Sequence, residues 1–413
     1  MGRLANQMIQ YMVALKFASL VHGCRISNVN LPGWGIVLPP IEVVGPSLTW
    51  TEPHRLDMAN LADRMQAGEF QLLRYQGYGQ RMENFLPRKH YQSVFQAPQH
   101  QDAGFGPEYL LCHVRAGDLL SASHPNYVLT SVAFYQEIVE RTGLVPVFMG
   151  ETSPGKYMDR LRAAFPQARV LPQGDITRDF EIIRQSKNIL LSCSTFCWLA
   201  AWLSEASRIF MPVNGVLNPR QYPRIDLLPL DDPRYSFYLF PINYAVPQAS
   251  HIRRHKAMNG MWREISHADL RRVISEAPRI PRRIEPFLDF FDETFYRSRY
   301  PEVNSSLASG RFASGQDHFR QHGFEAGWQA FRFNENWYIA QYPVAALEVA
   351  RGDYFDPIHH YAAIGRSRGY RPVPPFYRIS HWPWKQWIAY GSTGIAKVRS
   401  LAGRIRRKAT AWK

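Results

Sequence analysis

Cysteine is scarce in this chain: Cys24, Cys112, Cys193 and Cys197 are the only four in 413 residues. Four scattered thiols cannot form the disulfide framework of a small secreted domain, so a reducing cytoplasm is the expected compartment. The start lacks a charged segment followed by an apolar run and a small-residue cleavage site. No apolar run is long enough to span a bilayer. The most apolar stretch, residues 187–205, is interrupted by Ser192, Ser194, Thr195 and Ser204 and reads as a buried strand followed by a helix. Acidic residues are absent from residues 357–413, which carry twelve basic ones. Most of the net charge of +15 therefore belongs to the tail, and the 37 basic residues upstream nearly balance the 34 acidic ones. A basic excess confined to one terminus, with no nucleic-acid module, gives no reason to expect a nucleic-acid partner. Cys193 and Cys197 share a helical spacing, but no histidine or second cysteine pair nearby completes a tetrahedral metal site, and two buried cysteines are the commoner outcome.

The composition that remains is globular: 46% hydrophobic and 20% charged residues will fold, and the length suggests two or three domains. Between residues 108 and 213, apolar runs at 109–114, 145–149, 168–171, 189–193 and 208–213 alternate with amphipathic stretches at 132–141, 156–165, 178–187 and 195–206. This order predicts an open parallel sheet covered on both faces, with ligands beyond the carboxyl ends of its strands. Residues 1–107 predict a smaller α/β unit. It would hold a helix over 6–22, a strand around 25–27 and an extended loop through Pro32, Pro39, Pro40 and Pro46. A loop opening into a helix with no strand ahead of it leads us to expect a further element upstream.

Beyond residue 211 the sequence turns Pro-rich and then Arg-rich, reading as a linker that ends near 281–286. An internal repeat follows at an offset of 42 residues: Tyr296 matches Tyr338, Tyr300-Pro301 matches Tyr342-Pro343, and Gly310 matches Gly352. Farther along, His318-Phe319 matches His360-Tyr361, Gly323 matches Gly365, and Gly327 matches Gly369. Each unit reads as two short helices around a central glycine. The expected domains are thus 1–107 as a smaller α/β half, 108–280 as the half with the parallel sheet and its linker, 286–370 as a separate repeat module outside the ligand crevice of that sheet, and 371–413 as a basic aromatic tail. The repeats either pack as a helical module or present their aromatics to a ligand.

Three places carry residues suited to chemistry. His113 and Arg115 share one side of the strand at 109–114, and Arg115 falls at its carboxyl end. There a guanidinium fork either holds a phosphate or pairs with Asp118 on the surface. At residues 192–196, Ser-Cys-Ser-Thr-Phe precedes a helix; its hydroxyls and backbone N–H groups either cradle an anion or cap the helix. Asp179 begins the preceding helix, as a capping-region acid or as a nucleoside contact.

These pieces carry a resemblance. Gly2-Arg3-Leu4-Ala5-Asn6-Gln7-Met8-Ile9-Gln10-Tyr11 resembles the opening Gly-x-Leu-Gly-Asn-Gln-Met-Phe-Gln-Tyr motif of the α-1,2-fucosyltransferase family, glycosyltransferase family 11. Residues 113–118 resemble its His-x-Arg-Arg-x-Asp donor motif, and residues 192–203 resemble its Ser-Asn-Ser-Thr-Phe-Ser-Trp-Trp-x-Ala-Trp-Leu. Gly77-Tyr78-Gly79-Gln80 echoes a Gly-Tyr-x-Gln segment. The resemblance covers about residues 1–215. It implies two Rossmann-like halves of GT-B type and inverting, metal-independent transfer from GDP-fucose to a glycan or lipid-linked oligosaccharide.

No cofactor or metal is implied, and the sequence has no Asp-x-Asp pair. In the implied site Arg115 holds the β-phosphate, Ser194, Thr195 and Phe196 line the donor pocket with His113, Asn6 and Gln7 face it from the other half, and Asp179 approaches the nucleoside. Asp118 is the nearest carboxylate for a general base. The chain departs from the family at Ala116, where the second Arg stands, at Cys193, where Asn stands, and at Ala5, where Gly stands. Those departures keep two alternatives open: a transferase of the same fold with another nucleotide sugar, and a carbohydrate-binding protein with an inactive sheet. The tail, with Trp382, Trp384, Trp387 and Tyr390 among its basic residues, is expected to bring the chain to the inner face of an anionic membrane.

Overall fold

The computed structural model describes residues 4–97, 103–117, 119, 126–242, 259–276, 278–324 and 327–375. Met1–Pro372 cluster as one compact unit. Asp118 and the tail from residue 376 onward lie outside the described residues.

The centre is a mixed seven-stranded sheet. Its strands are β5 (Tyr109–Val114), β6 (Val145–Gly150), β7 (Arg169–Val170), β8 (Asn188–Leu190), β9 (Arg208–Val213), β10 (Tyr235–Leu239) and β11 (Arg263–Ile265), in the order β11-β10-β9-β8-β5-β6-β7. All neighbours pair in parallel except β10 and β11. Counted from β5, the six parallel strands run 3-2-1-4-5-6, the order of a doubly wound sheet with its ligand crevice between the first and fourth. Each β-to-β crossover among β5–β9 carries a helix: α4 (Val132–Thr142), α5 (Lys156–Ala164), α6 (Ile176–Gln185) and α7 (Thr195–Trp202).

Side-chain alternation explains why these strands are apolar throughout. Leu110, Cys112 and Val114 pack with Phe134, Tyr135 and Ile138 of α4 and Met158 and Leu161 of α5. Leu111, Ile189, Leu191 and Met211 face the opposite layer, among Phe180 and Ile183 of α6 and Trp198, Leu199 and Trp202 of α7. A strand buried on both faces needs no polar alternation.

The first helix, α1 (Leu4–Leu20), buries Ala5, Met8, Ile9, Met12 and Val13, a helical-period stripe, in the same layer as α7. The strand expected at 25–27 is irregular. It forms four residues later as β1 (Val29–Leu31), which pairs antiparallel with β2 (Ile36–Leu38) across the Pro-Gly turn inside the expected extended loop. β3 (Ser47–Trp50), α2 (Met58–Gln66) and β4 (Leu72–Tyr75) make one parallel β-α-β crossover. α3 (Arg88–Val94) then leads to the main sheet. The expected linker beyond residue 211 is also corrected: β10, β11 and α8 (His267–Ser275) continue the sheet and its cover there.

The repeat is visible in three dimensions, with three helices per unit where two are expected. The first unit has Glu293–Arg299, Glu302–Ala308 and Gly315–His318, the last running into a π-turn at Phe319–Gly323. The second has Glu335–Gln341, Pro343–Ala350 and Pro357–His360, running into Tyr361–Gly365. A four-residue helix is too short to show a 3.6-residue period. The matched residues make matched contacts. Tyr296 Oη lies 3.0 Å from His318 Nδ1, and Tyr338 Oη lies 2.7 Å from His360 Nδ1. Tyr300 stacks on Trp328 at 4.2 Å, and Tyr342 stacks on Tyr370 at 4.0 Å.

The repeats do not stand apart from the rest. Trp50 meets Trp328 edge-on at 5.5 Å, Thr51 Oγ1 donates to the Arg299 carbonyl at 3.0 Å, and Arg311 pairs with Glu69 at 2.8 Å.

Candidate functional site

β5 and β8 are neighbours, but the chain leaves β5 toward one edge of the sheet and β8 toward the other. The loops after them therefore diverge and open a crevice. His113 near the end of β5 reaches Ser192 after β8, with Nδ1 2.8 Å from Oγ. Burial, reinforced by the Arg115 charge, lowers the His113 pKa to about 3, so the ring is neutral. It is 5% exposed, which makes it a residue that positions the loop after β8 rather than one that meets a ligand broadly. Arg115 is half-buried. Its Nη1 donates to the Cys193 carbonyl at 3.1 Å, and its guanidinium carbon lies 4.6 Å from the Tyr127 ring centroid. The cation is thereby held over the carboxyl ends of both central strands.

α7 starts at the same place. Ser194 occupies its N-cap position, but the hydroxyl makes no capping hydrogen bond, so capping is not what the side chain does. Thr195 Oγ1 donates to Asn6 Oδ1 at 3.3 Å, and Gln80 Nε2 donates to the same oxygen at 3.0 Å. Segments 74 and 189 residues from Asn6 thus converge on one amide. The first turns of α1 and α7 meet there, and the N-terminal ends of both helix dipoles favour an anion. Gln7, the next residue of α1, is half-buried. Phe196 packs 5.6 Å from Phe180 and 6.4 Å from the His113 ring. Cys193 and Cys197 are fully buried, and the Cys197 thiol donates to the Ser192 and Ser194 carbonyls at 3.5 and 3.4 Å. Burial raises the Cys197 pKa to about 11, so this thiol holds the loop while protonated.

Asp179 lies in the first turn of α6, half-buried, with its pKa raised by burial. The cap of that helix is Asp175, which accepts from the Thr177 and Arg178 N–H groups at 3.0 Å each. The Asp179 carboxylate accepts from the Gly174 N–H at 3.5 Å, a contact with the residue just ahead of that cap.

Sequence reasoning missed several residues beside the crevice: Asn126, Tyr127, Tyr222, Arg224 and Glu335. Asn126 is fully buried, and its Oδ1 accepts from Gln221 Nε2 at 3.2 Å. The one sequence signal for Glu335 was a mismatch between the repeats, Gly315 against Pro357. No protein-family model matches the chain, and no curated protein matches it.

Proposed function

We propose that the chain is an inverting, metal-independent glycosyltransferase that moves L-fucose from GDP-fucose to a glycan hydroxyl, in the manner of an α-1,2-fucosyltransferase. One observation supports this most: Asn6, Gln80 and Thr195, drawn from three separate motif-like segments, meet at the sheet's switch point beside Arg115. On this reading residues 1–107, with their single β-α-β crossover, are the abbreviated second half of a GT-B-like pair. The acceptor hydroxyl attacks the anomeric carbon, the bond from that carbon to the β-phosphate oxygen breaks, and the electron pair leaves with GDP. Arg115 and the first-turn N–H groups of α7 stabilise the departing diphosphate. Asp179 contacts the nucleoside, and Phe196 lines the pocket. The acceptor belongs to a surface polysaccharide or a lipid-linked oligosaccharide, reached through an anionic membrane surface that the tail engages.

Calorimetry without added Mg²⁺ tests the donor site. GDP should bind more tightly than GMP, UDP or CDP. Arg115→Ala should weaken GDP about tenfold to a hundredfold, since a hydrogen bond to a charged group contributes roughly 1.5–3 kcal/mol. Cys193, standing where the family has Asn, favours a second reading in which another nucleotide sugar is the donor; tighter binding of UDP or CDP selects it. Unchanged GDP affinity in Arg115→Ala removes the residue from the site.

A further inference from the structure

Among the positions at which the two repeats differ, one removes a backbone donor from a carboxylate. In the first unit Glu293 accepts from the backbone N–H groups of Gly315 and Gln316 at 2.8 and 3.1 Å. Glu335 stands 42 residues later, but Pro357 replaces the glycine and has no N–H to offer. Glu335 instead joins a cluster drawn from separate parts of the chain: Arg224 and Tyr222 from the segment after β9, Asp356 from the second repeat, and Asn126. Arg224 and Glu335 are both half-buried.

Two buried side chains in this neighbourhood, those of Asn126 and His54, turn polar atoms toward the cluster. Asn126 interacts with the Glu335 carboxylate through its side-chain amide, whose Oδ1 accepts from Gln221 Nε2 on the other side. The His54 ring is buried 6.3 Å from that of Tyr222. The cluster adjoins the donor crevice. Tyr127 follows Asn126 directly, with Cα atoms about 3.8 Å apart, and its ring is the one over which Arg115 sits. Tyr222 interacts with both Tyr127 and Glu335. Gly215, at φ +55°, lets the Asn126 carbonyl approach where a Cβ would overlap it, pinning this loop beside Cys193.

We propose that Glu335, supplied by the second repeat, is the general base that takes the proton from the attacking hydroxyl, and that Asn126, Tyr222 and Arg224 form the acceptor wall around it. This rests on the transferase reading above. Carboxylates, an amide and ring faces beside the Arg224 guanidinium suit a polyhydroxylated acceptor. As the new bond forms from hydroxyl oxygen to anomeric carbon, the hydroxyl proton passes to Glu335 and the bond to the phosphate oxygen breaks toward Arg115. Burial raises the Glu335 pKa to about 7; Arg224 lowers it, Asp356 raises it and Asn126 lowers it. The base form therefore gains population as pH rises through that value.

The test uses the full-length protein, GDP-fucose with water as acceptor, and GDP release as readout. Glu335→Gln should lower release on the order of a hundredfold at pH 8, while GDP affinity stays within about twofold. The increase in wild-type release on either side of about pH 7 should vanish in this variant. Pro357→Gly restores the N–H that the first repeat uses, should recapture the carboxylate and should lower release without removing any acid. If both variants bind GDP and release it at the wild-type rate, Glu335 is not the base and the donor reading stands. A wild-type protein that binds no GDP or leaves GDP-fucose intact overturns the transfer reading, and the role of Glu335 with it.

Discussion

Ala116 and Arg115 are consecutive at a strand end and so face opposite sides of the sheet. Arg115 continues the side of Leu111 and His113, toward α7 and the crevice. Ala116 is 4% exposed and packs with Val114, Val132 and Phe134 in the α4 layer. An arginine at this position would enter an apolar layer, where an unpaired charge costs several kcal/mol. Ala116→Arg should therefore lower the melting temperature and leave GDP affinity no better than that of the wild type. Tighter GDP binding with unchanged melting would mean that residue 116 turns into the crevice, and that its alanine is a lost donor contact. The same side-of-strand logic separates His113 from Arg115: both lie on the crevice side, but His113 is spent on Ser192.

At the scale of elements, the repeat geometry depends on two glycines. A Cβ at Gly365 would overlap the Tyr338 hydroxyl, and one at Gly323 would overlap that of Tyr296. The hydroxyl of Tyr338 is committed to His360 Nδ1, because His360 Nε2 is within 2.8 Å of Glu348 and donates there. Gly365→Ala should cost about 1–3 kcal/mol in denaturant unfolding, and adding Tyr338→Phe should recover part of it. Strictly additive losses would show that the two residues do not collide. The central strands β5–β9 and helices α4–α7 were legible in sequence to within a few residues, since a strand covered on both faces is a continuous apolar run. β10 and β11 were not, because short strands amid proline and arginine carry no such run; nor was the β1–β2 hairpin, with three residues per strand. The crevice side chains His113, Arg115 and Ser192 to Phe196 were singled out from local motifs, because each motif lies within one strand end or one helix start. Asn126, Tyr222, Arg224 and Glu335 were not, since only tertiary docking of the repeats gathers them, and no local spacing encodes that docking.

For the whole molecule, packing and charge both divide late in the chain. Packing carries the repeats into the main unit through Trp328 on Trp50, Arg299 on Thr51 and Arg311 on Glu69. A chain ending near residue 280 would thus expose Trp50 and leave Arg224 without Glu335 and Asp356. A chain ending at Pro372, the edge of the compact unit, keeps all of these contacts. Charge divides late: residues 373–413 contain nine basic and no acidic residues, with Trp382, Trp384, Trp387 and Tyr390 among them. Near an anionic surface each basic residue contributes about 1 kcal/mol, and aromatic side chains add interfacial anchorage. The 1–372 chain should therefore retain the full-length melting temperature and GDP affinity while losing co-sedimentation with anionic vesicles. Full-length binding should weaken as salt is raised and be absent on neutral vesicles, because screening acts on the charged contribution alone. Equal sedimentation of the two chains would assign membrane attraction to the main unit, whose near-balanced charge would then have to be unevenly spread over its surface.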